Sequence, residues 1–176
     1  MRERCARTSD ASRFGRLAWL WLAVLVLVLD QGSKQVVLQV LEYGQRVTVI
    51  DGYFDWTHVY NRGAAFSFLA GESGWQRWFF AAIAVGVSAV LVVWMKRLKA
   101  DETWLAVALA LVLGGALGNL YDRVVLGHVV DFILVHWQNR YYFPAFNLAD
   151  SGITVGAVML ALDMFKSKKS GEPAHD

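Results

Sequence analysis

Four long apolar runs divide this chain, near residues 17–38, 78–95, 104–121 and 146–165. Each approaches the roughly 20 helical residues needed to cross a hydrocarbon layer of about 30 Å. Between the first two, over residues of about 42–62, the period changes. RVTVIDGYFDWTHVY alternates apolar with polar positions around the turn dipeptide Asp51-Gly52, which predicts an antiparallel hairpin whose second strand runs on toward Tyr60. The pattern thus predicts an all-α polytopic membrane protein with four transmembrane helices and a small extracytoplasmic β-hairpin or sheet. The stretch FILVHWQNRYYFPAF, between the last two runs, is apolar with an aromatic end and reads as an interfacial outer loop, a short helix or irregular flap. The third helix is expected to continue toward Asp131. The hairpin has two open readings: it holds an extended peptide, or it only caps the helices.

Composition narrows this picture to the membrane. Of 176 residues, 56% are apolar and 18% charged, below the about 25% charged residues of a soluble domain, and only two are proline. One membrane domain, residues 17–165, is expected between a basic tail (1–16) and a polar tail (166–176). The run LAWLWLAVLVLVL after an arginine-rich segment resembles the core of a cleaved signal peptide. No small-residue cleavage site follows it; DQGSKQVVLQVL instead keeps helical character, with Asp30 and Lys34 one turn apart on one face, so a retained first span is expected.

Orientation follows from the basic residues. Arg2, Arg4, Arg7, Arg13 and Arg16 precede the first span, Lys96, Arg97 and Lys99 lie between the second and third, and Lys166, Lys168 and Lys169 follow the fourth. The positive-inside rule puts all three groups, and so both termini, in the cytoplasm, and the loops holding Arg46, Arg62 and Arg140 outside. A net charge of +2 gives no reason to expect a nucleic-acid partner. Cys5 stands alone, and His58, His128, His136 and His175 form no HExxH or similar ligand set, so neither a metal nor another cofactor is expected. Ser67 and Ser151 lack a lysine or histidine at catalytic spacing.

The remaining signal lies in polar residues at membrane depth, where acids are costly and usually functional. Asp131 lies in VVLGHVVDF, which closes one span, and Asp150 in FNLADSGITVG, which opens the next, both where an apolar run meets its outer flank. On consecutive helices joined by a short loop they can face one another, and two facing carboxylates are enough for metal-free hydrolysis of an amide. Asn119 and Asp122 share a helix face in LGGALGNLYDR, and Asn147 and Asp150 repeat that Asn-x-x-Asp spacing. Gly114 and Gly118 have the small-xxx-small spacing of closely packed helices. The plain alternative for each acid is a salt bridge or helix cap, and it is strongest for Asp122 beside Arg123.

Five blocks then carry a resemblance: DQGSK at 30–34, NRGAAFS at 61–67, GNLYDR at 118–123, VVDF at 129–132 and FNLAD at 146–150. In order, and with four spans, they resemble the bacterial lipoprotein signal peptidase (signal peptidase II) family. The resemblance implies an aspartic endopeptidase of the bacterial inner membrane. Such an enzyme removes the signal peptide of a prolipoprotein just before a diacylglyceryl-modified cysteine, at an active site near the extracytoplasmic face. By motif, the dyad falls on Asp131 and Asp150. Asn61, Gly63, Asn119, Asp122, Arg123 and Asn147 would orient it or bind substrate, with Arg123 holding Asp122 ionised. Asp30 and Lys34 would be structural or touch lipid head groups. Partners would be the prolipoprotein and membrane lipid, and a site complete in one chain implies a monomer. A small proton-coupled transporter, with the same acids as a relay, is the rival reading.

Overall fold

The computed structural model describes residues 15–63 and 74–170, with side chains to 165. Residues 64–67 of the NRGAAFS block, Cys5, His175 and the arginines before residue 15 lie outside these. A 3₁₀ turn, Gly15–Trp19, leads into α1 (Leu20–Val40), followed by β1 (Arg46–Ile50), β2 (Phe54–Asn61), α2 (Trp75–Arg97), α3 (Thr103–Val125), β3 (Val129–Trp137), β4 (Tyr141–Tyr142) and α4 (Leu148–Ser170). The four α-helices are long and apolar enough to span a membrane. Their outward positions remain apolar: Val28, Ile83, Val90, Val158 and Leu162 are all exposed, as lipid-facing residues must be.

α3 is the central post of the bundle and packs against the other three helices. Its glycines permit this. A Cβ on Gly118 would lie 2.6 Å from Asp30 Oδ2 and 3.3 Å from the Ala149 Cβ, so glycine there lets α1 and α4 approach α3 together. At the end of the bundle away from the sheet, Arg16 Nε donates to the Lys99 carbonyl (3.0 Å), tying the start of α1 to the α2–α3 turn.

The hairpin at Asp51-Gly52 forms as the pattern predicts, with Gly52 at φ +80°. Two expectations from the sequence are overturned. The α3 helix does not continue to Asp131: it stops at Val125, where the Leu126 and Gly127 amides both donate to the Asp122 carbonyl and Gly127 takes φ +84°. Nor is the following segment an interfacial helix or flap. It is β3 and β4, which complete a four-stranded antiparallel sheet in the order β1-β2-β3-β4. β3 lacks the polar alternation of a solvated strand because its first four residues, Asp131 among them, are all buried.

Candidate active site

Asp131 is therefore on a strand and Asp150 on a helix. Asp131 sits in β3 opposite Val59 of β2, and two residues later Ile133 exchanges backbone hydrogen bonds with Phe146. That bridge holds the entry to α4 against β3. Asp150 lies in the first turn of α4, where Asn147 caps the helix. Asn147 Oδ1 accepts from the Asp150 amide (3.0 Å), and Asp150 Oδ2 accepts from the Asn147 amide (3.3 Å), a reciprocal capping box with aspartate in the usual glutamate place.

Once its oxygen is committed to the helix, the Asn147 amide nitrogen faces the other acid. Nδ2 donates to Asp131 Oδ1 at 2.7 Å, with Asn119 Oδ1 and the Val130 carbonyl farther away at 3.2 and 3.3 Å. One fully buried residue thus bonds both carboxylates, Asp131 through its side chain and Asp150 through its backbone amide. Asn119 repeats the device from α3. Lysine has no acceptor, so the Asn119 oxygen must face Lys34 Nζ (3.1 Å), and its Nδ2 is thereby turned to Asp150 Oδ1 at 2.7 Å. Asn61, at the end of β2, donates to Asp131 Oδ2 (3.2 Å) and accepts from the Gly63 amide (3.0 Å). Every carboxylate oxygen of the two acids therefore accepts a hydrogen bond.

Asp131 is only 2% exposed, whereas Asp150 is half-buried. Burial, and then the Asp150 charge, push the Asp131 carboxyl up to about 7 against the lowering effect of Asn61, Asn147 and Lys34. A carboxyl half-protonated near neutral pH is what an acid–base pair needs.

Beneath these two lies a second, fully buried cluster. Lys34 Nζ meets Asp30 Oδ2 and Asp122 Oδ2, each at 2.8 Å, as well as Asn119, so its three donors are all used. Asp30 Oδ1 accepts from the Ala149 amide (2.9 Å) and Asp122 Oδ2 from the Val130 amide (3.1 Å), so the cluster links α1, α3, β3 and α4. Asp30 is 0% and Lys34 1% exposed, which leaves no surface for a lipid head group. The expected Asp122–Arg123 pair is absent. Neighbours on a helix point about 100° apart, and Arg123 instead donates to the Asn119 and Gly63 carbonyls, both at 3.1 Å. Lys34 is the partner of Asp122. Gln31, which sequence reasoning passed over, joins the cluster through Asp122 Oδ1 (2.8 Å) and the Gly118 carbonyl (3.2 Å). Its only sequence signal is its place within the DQGSK block.

Asp150 opens onto a cleft of about 550 Å³ whose wall is mostly apolar, with Phe143, Phe146, Ile153 and Val155 among its residues. A second cleft, of about 470 Å³, shares Phe143, Pro144 and Ala145 with the first and runs over the sheet past Val59, Thr57 and Arg46. The two clefts thus adjoin at Phe143, Pro144 and Ala145, and Asp150 lines the apolar one.

The sequence profile of signal peptidase (SPase) II matches residues 22–166, which include every residue of both clusters. The chain belongs to the signal peptidase II family. It is 75% identical over 166 residues to the lipoprotein signal peptidase of Pseudomonas putida, a match covering 94% of this chain and 97% of that protein. It is also 75% identical to that of Pseudomonas aeruginosa, with 94% and 98% covered. Two bacterial membrane enzymes solved by the in meso method share the fold: one at TM-score 0.79 and 31% identity, covering 90% of this chain and 94% of the other, and one at 0.73 and 34%, covering 85% and 93%. Signal peptidase II enzymes are proteases, so hydrolysis is the chemistry against which the two acids must be read.

Proposed function

We propose that this chain is an aspartic endopeptidase of the bacterial inner membrane that releases the signal peptide of a prolipoprotein immediately before a diacylglyceryl-modified cysteine, with Asp131 and Asp150 as its dyad. The observation that carries this reading is Asn147, which hydrogen-bonds to both carboxylates and so holds them to a single site. Two acids at close quarters share one proton and titrate together. The ionised member takes a proton from water as that water attacks the scissile carbonyl. The protonated member donates to the developing oxyanion, and the proton then passes to the leaving amine. Asn119, Asn61 and Asn147 present only N–H groups to the dyad, which fixes the carboxylates without drawing away the shared proton.

Substrate positioning follows from the two clefts. The scissile peptide lies along the sheet side, while the acyl chains of the modified cysteine enter the apolar cleft beside Asp150. Lipid anchoring then turns an encounter in three dimensions into one at fixed depth. Arg123, by holding the Gly63 carbonyl, keeps the end of β2 over the dyad. Both termini lie in the cytoplasm, and one chain suffices.

Mass spectrometry of the products tests this reading. Incubated with a diacylglyceryl-modified prolipoprotein, the protein is expected to yield a mature chain beginning at the modified cysteine, with the unmodified precursor left uncut. Cutting at another bond, or equal cutting of both precursors, refutes it. A proton-coupled relay built on the same acids would yield no product at all.

A further inference from the structure

At the rim where α2 and α3 meet the sheet there is a separate cavity of about 300 Å³. Three basic side chains from three different segments line it: Arg62 just past β2, Arg77 in the first turn of α2, and His128 between α3 and β3. None of its described lining residues is acidic. Arg62 and Arg77 carry like charges with no acid among the described lining residues, and like charges repel, by about 1 kcal/mol at 4 Å even in water, so this grouping points to an anion.

Two of the bases are held in place. Arg77 Nη2 donates to the Val124 carbonyl (2.6 Å), and its guanidinium lies 4.6 Å from the Trp78 ring centre. Its Nη1 rests against Gly127, where a Cβ would stand 3.3 Å away and where φ is +84°; the glycine that ends α3 also makes room for this cation. His128 packs against Tyr60, with ring centres 3.8 Å apart and planes tilted by 39°. Burial, and then the Arg62 charge, hold its imidazole below the usual range, so at neutral pH it offers one N–H donor. Among the described residues, Arg62 has no hydrogen-bond or ion-pair partner.

Depth supplies the ligand class. Arg77 is two residues into one spanning helix and Val124 is next to the last residue of another, so the cavity sits at head-group level. Trp78 and Phe79, both exposed, continue from it down the apolar face of α2. We propose that this cavity binds the phosphodiester of an anionic glycerophospholipid, with Arg62 and Arg77 on its oxygens, His128 donating a third hydrogen bond, and the acyl chains along α2. Arginine suits phosphate because its planar fork matches two oxygens at once. This site does not depend on the peptidase reading.

Native mass spectrometry of the full-length protein, offered phosphatidylglycerol and phosphatidylethanolamine in equal amounts, tests the proposal. The wild type is expected to retain phosphatidylglycerol preferentially. Arg62→Gln, which leaves the Arg77 bond to Val124 untouched, should weaken that retention at least about five-fold, the equivalent of one lost charged contact. Equal retention of the two lipids by wild type, or unchanged preference in R62Q, overturns the proposal. Displacement of the lipid by a comparable concentration of inorganic phosphate would make this a free-phosphate site and overturn it equally.

Discussion

Asp131→Asn and Asp150→Asn are each expected to lower prolipoprotein cleavage by about 10³-fold or more, the scale of losing a positioned acid or base together with its oxyanion contact. The loss should be chemical rather than structural. Asparagine has nearly the volume of aspartate, and an oxygen remains to accept from Asn147 or Asn119. Each variant does turn an NH₂ toward a donor, since both carboxylates are surrounded by N–H groups, so a modest fall in thermal stability should accompany the loss. The double variant should cleave no more slowly than the worse single one, because two groups sharing a proton fail as a unit. Substrate binding by D150N at wild-type strength, with cleavage lost, would separate chemistry from recognition. Undiminished cleavage by both single variants would remove these residues from the mechanism.

Lys34→Met is expected to have the largest effect on stability. It leaves Asp30 and Asp122, both fully buried, with an uncompensated charge, and breaking a buried ion pair from one side costs about 3–5 kcal/mol. At a few degrees per kcal/mol for a chain of this size, thermal unfolding in detergent should begin about 10 °C lower. The damage should also reach the dyad, because the Asn119 oxygen loses the donor that orients its amide toward Asp150. Neutralising the whole cluster, as D30N/K34M/D122N, should recover part of the stability, since no lone charge then remains inside. Unaltered unfolding of K34M would show that the cluster contributes little to holding α1, α3, β3 and α4 together.

The helices were legible because a membrane demands long apolar runs, and the first hairpin because its outer face keeps a polar alternation. β3 was not. Its first half is buried on both faces, its partner β2 lies some 70 residues earlier, and only Gly127 marks where the α3 helix ends. The site divides in the same way. Asp30 and Lys34, one turn apart, could be paired by spacing alone, and the Asn-x-x-Asp of α4 could be seen as a capping box. The Lys34–Asp122 bridge spans two helices, and adjacency in sequence favoured the wrong partner, Arg123. Contacts within one turn can be read from spacing; contacts that tertiary packing creates, such as Asn119 to Asp150, cannot.

The proposal that Asp131 and Asp150 share a proton is most directly tested by carbon-13 NMR titration of the Asp131 carboxyl in the wild type and in Asp150→Asn. The wild-type midpoint should lie at about 7 and should move down in D150N, because the Asp150 charge that raises it is gone while burial persists. A wild-type midpoint in the ordinary carboxylate range, or one that D150N leaves unmoved, would contradict the claim that these two acids work as a pair.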